Sequence, residues 1–227
     1  MNHVTVRLPG LIAAVLLSGV HQTARAQDAY FGSNATIDYA VNGDTYVGYA
    51  SQSDRDNGIN PTSPTVSLVS GGSLGGLLIA QNSSTVDMSG GEIGDILEAA
   101  DSSHVNMSGG RIVGFLLAAN TSVVDISGGS VRGNLAAWNS GTINFFGTGL
   151  SDTLLNANYF GFSWYTLSGR LRDGTIIDSK NLYIQNTGAQ FTLNNSPVPE
   201  PGSIALLVGM AGTVLLVRKR QFVPVAK

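Results

Sequence analysis

The sequence predicts an all-β chain: a parallel β-helix, or solenoid, of 19-residue coils with capping segments. An N-terminal signal helix and a C-terminal transmembrane helix are expected outside the coils. Three observations carry this. Ser-Gly-Gly recurs at Ser70-Gly71-Gly72, Ser89-Gly90-Gly91, Ser108-Gly109-Gly110 and Ser127-Gly128-Gly129, 19 residues apart each time, and a fixed short period marks a stacked repeat. The copies agree in apolar columns whose members lie two residues apart within each copy, the spacing of a strand with one face in a core. Finally, 19 is odd. A strictly alternating chain would return on the wrong face, so parity must break once per copy, and the glycine pair is where the backbone has that freedom.

The columns read Val86, Val105, Val124, Ile143; then Val69, Met88, Met107, Ile126, Phe145; then Leu74, Ile93, Ile112, Val131; then Leu78, Leu97, Leu116, Leu135; then Ala80, Ala99, Ala118, Ala137. Stacked coils set equivalent residues ~4.8 Å apart, so each column becomes a ladder of like on like. Asn82, Asp101, Asn120 and Asn139 form a polar ladder at a turn. Parallel strands joined this way predict right-handed crossovers. A strand-plus-helix repeat of the leucine-rich type is the rival, and the Ala pairs lean slightly to helix. Nineteen residues are short for that unit, and the period-two columns fit it poorly.

Composition agrees. The 227 residues include 29 Gly, no Cys and 12% charged side chains, with a net charge of −3. Low charge with many turn formers suits stacked strands better than a bundle. The acidic balance argues against nucleic acid as a partner. Without Cys there is neither a disulfide scaffold nor a thiolate metal site.

Taken in order, residues 1–26 read as a signal peptide: Arg7, a short apolar run from Leu8 to Val20, and Ala24-Arg25-Ala26 as the cleavage site. An uncleaved anchor is the alternative. Residues 27–64 hold no copy of the repeat and are expected to form the N-terminal cap, since an open coil exposes ladder groups. Residues 65–149 are the array, with Phe146-Gly147-Thr148 a worn fifth copy. Residues 150–196 lose the phase but stay β-like, reading as closing coils and C-terminal cap. Trp164 to Leu171 alternates, Asp173-Gly174 marks a turn, and Leu182-Tyr183-Ile184 and Phe191-Thr192-Leu193 are strands.

Residues 197–220 differ in kind, and 221–227 form a cytoplasmic tail. After Pro199-Glu200-Pro201, Gly202 to Val217 is nearly all apolar and Arg218-Lys219-Arg220 stops it. Sixteen helical residues span ~24 Å, just short of a ~30 Å hydrocarbon core. The cations resist crossing, which leaves the C-terminus cytoplasmic and the repeats outside. This tail resembles the PEP-CTERM sorting signal of exported Gram-negative proteins. The repeats, and the phrase Leu167-Ser168-Gly169-Arg170-Leu171-Arg172-Asp173-Gly174, resemble the bodies of such proteins, with autotransporter-like β-helix repeats. The resemblance implies an exosortase-type processing enzyme as partner at Pro199-Glu200-Pro201, removal of the tail, and a place at the cell surface or in extracellular polysaccharide. A permanent single-pass anchor is the competing reading.

Chemistry is sparse. After signal removal one histidine remains, His104, in a column with Thr85, Val123 and Thr142, which reads as plain surface and allows no triad or multi-histidine metal site. Asp87, Asn106, Asp125 and Asn144 alternate in an outward column. Asp87 and Asp125 sit two coils apart, ~9.6 Å, near the upper end of the inverting-glycosidase separation. Alternating Asp with Asn also keeps like charges from stacking, the plainer explanation. Asp95, Glu98, Asp101 and Arg111 read as a solvated charge cluster. Gly90-Gly91-Glu92-Ile93-Gly94-Asp95 misses the calcium-repeat spacing, and the glycines open no phosphate loop. Neither a cofactor nor a metal is expected.

One surface is unusual. Leu77, Ile79, Ile96, Phe115, Leu117 and Trp138 are outward and apolar, a patch large for a soluble monomer. Either a cap or the 150–196 region lies across it, or it is a contact face for polysaccharide, the envelope or a second copy, with Phe115 and Trp138 able to stack on sugar rings. The reading is a non-enzymatic, exported structural or adhesive protein. The alternative is a minimal polysaccharide-active lyase or hydrolase using Asp87 and Asp125. A surface-binding solenoid would need a repeated Thr ladder, which the columns do not form.

Overall fold

The computed structural model describes residues 27–185 and 187–196. The expected signal segment with Ala24 and Ala26, the Pro199-Glu200-Pro201 motif, the apolar run and Arg218-Lys219-Arg220 lie outside the described residues. Among the described residues no helix is long and apolar enough to cross a membrane.

The described chain is all-β, with 18 strands in one hydrogen-bonded sheet and one short helix. Its strands fall into three columns of parallel neighbours. Column one holds β1 (Ala29–Phe31), β4 (Thr45–Val47), β7 (Leu78–Ala80), β10 (Leu97–Ala99), β12 (Leu116–Ala118), β14 (Leu135–Ala137) and the end of β17 (Ile176–Gln185). Column two holds β2 (Ala35–Ile37), β5 (Thr65–Leu68), β8 (Thr85–Met88), the starts of β11 (His104–Ile112), β13 (Val123–Val131) and β15 (Thr142–Tyr159), and β18 (Gln190–Asn195). Column three holds β3 (Ala40–Val41), β6 (Ser73–Leu74), β9 (Glu92–Ile93) and the ends of β11 and β13. The register realises the period directly: Leu78, Leu97, Leu116 and Leu135 are successive partners, as are Val86, Val105, Val124 and Ile143. All eight are buried.

The burial pattern shows where parity breaks. Inward residues run Val86, Met88, then Ile93, then Leu97 and Ala99, then Ser103 and Val105. Only the step across Gly90-Gly91 is odd. Gly91, Gly110 and Gly129 take φ of 75°, 83° and 80°, and a Cβ on Gly129 would stand 2.7 Å from the Gly109 oxygen. In the first copy the left-handed residue is instead Gly71, the first glycine of its pair, and the inward partner of Met88 is Leu68, not the expected Val69. The expected sharp corner is softer in two copies: in β11 and β13 the strand runs through Ser-Gly-Gly, with a register shift there. A left-handed glycine kinks a strand without ending its ladder, as in a bulge.

A second bend, at the Asn column, is also left-handed. Asn82, Asp101, Asn120 and Asn139 have φ of 59°, 56°, 59° and 56°, the conformation that Asn and Asp tolerate best after glycine. Just beyond it, Ser84, Ser103 and Ser122 are buried. Ser103 Oγ donates to the Ala80 carbonyl at 3.1 Å and Ser122 Oγ to that of Ala99 at 2.9 Å. These serines were not singled out in the sequence columns.

Residues 27–64, expected as a cap without the repeat, contribute β1–β4 to the columns. The period is hidden because Ala29 pairs with Thr45 and Thr45 with Leu78, steps of 45 − 29 = 16 and 78 − 45 = 33. The long step contains α1 (Gln52–Asn57), N-capped by Ser51 and closed by left-handed Gly58. At the other end β15 leaves column two after Gly147 and pairs antiparallel with β16 (Phe162–Leu171), which pairs antiparallel with β17. Leu182–Ile184 then rejoin column one beside β14, and β18 rejoins column two beside β15.

Candidate interaction face

The outward residues of column one make a continuous file: Tyr30, Tyr46, Ile79, Glu98, Leu117, Ala136, Tyr183 and, one antiparallel strand further, Trp164. Period two forces this, because each file member stands between two core residues, as Leu117 does between Leu116 and Ala118. Beside it runs the expected contact row of Leu77, Ile96 and Phe115, and Trp138 stands on the other flank. Leu77 and Ile96 are half-buried. Phe115 and Trp138 are 49% and 43% exposed.

Phe162 reaches Trp138 edge-on, ring centroids 6.4 Å apart. Together Ile96, Phe115, Leu117, Ala136, Trp138, Phe162 and Tyr183 line an apolar groove of about 390 Å³. Ala136 is its low point, between Leu117 and Tyr183. The hairpin of β15 and β16 thus borders the patch instead of covering it. Tyr183 and Phe162 were not foreseen. Aligning Leu182-Tyr183-Ile184 with Leu135-Ala136-Ala137 would have placed Tyr183 on this file.

The aromatic ends of the file are internally satisfied. Tyr30 and Tyr46 stack at 5.1 Å, with the Arg55 guanidinium of α1 4.0 Å from the Tyr46 ring. Trp164 and Tyr183 stack at 5.3 Å. Rings stacked on one another show outside groups their edges, so the aromatic faces most exposed to a flat ligand are those flanking the file, Phe115 and Trp138, the latter met edge-on by Phe162. The file's single charge is Glu98. Its carboxyl is held above the usual range by burial between Ile79 and Leu117, with repulsion from Asp101 adding to it.

The outward file of column two is polar and internally bonded. Asn106 donates to Asp87 at 2.8 Å, Asn144 to Asp125 at 2.7 Å, and Thr192 to Asn144 at 2.7 Å. His104, expected as bland surface, has Nε2 3.0 Å from the other Asp125 oxygen. Asp87 and Asp125 therefore lie two strands apart with Asn106 between them, and both oxygens of Asp125 are engaged. Arg111 meets Glu92 on the adjacent strand at 3.4 Å instead of the Asp95, Glu98 and Asp101 group. Among the described residues no three His, Asp or Glu side chains converge to hold a metal.

Two further polar groups bind β17 and the turn before it to the columns. Lys180 Nζ donates to the carbonyls of Val131 and Arg132, the latter at 2.8 Å, and burial lowers its pKa. Asp173 accepts the Gly129 N–H at 2.7 Å and the Thr175 N–H at 2.8 Å. Burial alone would raise its pKa, but these hydrogen bonds outweigh it and the net shift is downward. The Leu167–Gly174 phrase thus supplies the carboxylate that closes the last Gly-Gly kink. In comparisons with known proteins, no family model, curated protein or solved structure matches this chain.

Proposed function

We propose that the chain is a parallel β-helix that acts without catalysis, as an exported structural or adhesive protein that displays column one. The observation that carries this is the register: seven parallel strands in each of two columns, with equivalent side chains in file. Such a stack holds a long surface rigid through backbone ladders and like-on-like packing. Its apolar groove, open at Phe115 and Trp138, is the part available for contact. The candidate occupants are an extracellular polysaccharide and the envelope.

The address rests on the sequence alone. The signal segment, the Pro199-Glu200-Pro201 motif, the apolar run and Arg218-Lys219-Arg220 support export, membrane engagement and recognition by an exosortase-type enzyme. Cell fractionation with mass spectrometry of both termini tests this. An N-terminus at Gln27 and loss of residues beyond the Pro-Glu-Pro motif in surface material would support it. Full-length protein with Arg218-Lys219-Arg220 attached, released from cells, would count against processing.

A polysaccharide-active enzyme keeps one supporting observation, the His104–Asp125 pair. Activity on acidic polysaccharide that disappears in Asp125→Asn would replace the structural reading with the enzymatic one.

A further inference from the structure

The strand that leaves the columns, β15, ends in an edge that nothing covers among the described residues. Up to Leu150 the edge is occupied: the Leu150 N–H donates to Asn195 Oδ1 at 2.7 Å, and Asn195 Nδ2 donates back to the Leu150 carbonyl at 3.0 Å. From Ser151 onward β15 pairs with β16 alone. Ser151 through Ala157 are all exposed, with Leu154 at 49% and Leu155 at 53%. Alternate N–H and C=O groups of this run therefore point to an open side, the template on which another strand adds.

Proteins usually blunt such an edge with Lys, Pro or extreme shortness. The edge strands at the opposite end are short: β1, β2 and β3 have three, three and two residues. The β15 run has neither Lys nor Pro, and Asp152 is its one charge. Its bulge at Leu155, where the register skips from Leu154–Tyr165 to Asn156–Trp164, turns two leucines outward in succession.

The direction of growth narrows the occupant. Beyond β14 the sheet of column one receives β17, then antiparallel β16, then antiparallel β15. The next place also suits an antiparallel strand. An edge always meets its own copy antiparallel across a two-fold axis, forming a closed isologous contact. With the axis at Leu154, Asp152 lies opposite Asn156 of the second copy, Leu154 opposite its own copy and Leu155 opposite Thr153. Like charges stay apart, and Leu154 packs against Leu154.

We propose that the Ser151–Ala157 edge of β15 is a self-pairing surface, joining two copies into one continuous sheet by antiparallel strand addition about Leu154. The inference stands on the strand pairing and holds whatever the address of the protein.

The test uses the absence of Cys from the chain. Full-length Leu154→Cys and Ser151→Cys are purified in detergent, oxidised mildly and run without reductant. A residue on the axis faces its copy across about 5 Å, within disulfide reach. Residues three positions off the axis lie ~20 Å from their own copies. Leu154→Cys is expected to cross-link at least tenfold more than Ser151→Cys. Light scattering should give a dimer for the unmodified protein and a monomer for Leu154→Lys with unchanged circular dichroism. Equal cross-linking of the two Cys variants, a monomeric unmodified protein, or a dimer that survives Leu154→Lys would each overturn the proposal. The last would place the contact elsewhere, such as in the apolar tail.

Discussion

Glu98 is the one outward residue of the central file that opposes its neighbours. Ile79 and Leu117 flank it, and burial holds its carboxyl proton-bound to higher pH than in the unfolded chain. A raised carboxyl pKa means that folding favours the protonated form. The penalty is complete above the folded value and is relieved as pH falls through it. Glu98→Gln should therefore raise the melting temperature at neutral pH, and its advantage should fade in acid. Thermal scans across pH 3 to 8 measure this. Asp173 has the opposite sign. Its depressed pKa contributes stability that is present above the unfolded value of about 3.9 and lost as pH falls through the folded value. Acid should release the Gly129 N–H before the columns melt, seen as early hydrogen exchange at that amide, and Asp173→Asn should loosen it at neutral pH. At the left-handed bend, Asn120→Gly and Asn120→Ala both lose the bond from Asn139 at 3.0 Å. Asn120→Ala should cost about 1–2 kcal/mol more than Asn120→Gly by urea unfolding, because only alanine carries a Cβ that resists that conformation.

At the scale of elements, legibility follows the period. The Leu, Val and Ala ladders could be read because β7 to β15 repeat without insertion, and an inward column at step 19 has one geometric meaning. The first rungs could not, because α1 and its loops lengthen one step and a 16-residue step shortens another. The strands β16 and β17 could be placed by alternation, and Asp173-Gly174 by its turn. Their antiparallel direction could not, since alternation is blind to strand sense. The groove was half legible: Ile96, Phe115 and Trp138 lie on periodic columns, whereas Phe162 arrives on the hairpin. His104 is at the surface as read, but its partner, Asp125, was not legible because it sits in the neighbouring file one strand on, a diagonal that column reading omits. Lys180 illustrates the same limit. Its carbonyl partners at Val131 and Arg132 are 49 and 48 residues away and carry no sequence mark. Lys180→Met should keep the packed stem but lose both hydrogen bonds, at about 1.5–3 kcal/mol for a charged donor. The loss should appear as faster exchange in β17, with amides of β8 and β11 unaffected.

At the scale of the whole molecule, the proposed β-helix would behave as a one-dimensional array in which each rung touches only its neighbours. Within the regular run from β8 to the start of β15, that would make chain length adjustable in steps of 19 residues only. Deleting 104–122 joins Ser103 to Val123 and removes 19 residues. Val123 then takes the place of His104, Val124 that of Val105 and Ile126 that of Met107, so every inward residue meets its usual kind. The shortened chain should fold, keep its β-type circular dichroism and unfold in one transition. Its urea slope should be smaller in proportion to the surface no longer buried. Deleting 105–122 removes 18. Val123 then occupies the inward place, and Val124 and Ile126 turn to solvent until a glycine kink resets them, because a one-residue slip exchanges the two faces of a strand. That variant should lose its cooperative transition or aggregate. If both deletions were tolerated equally, the odd period would not be what holds the glycine kinks and the inward files in step, and the rigid display built on those files would lose its basis.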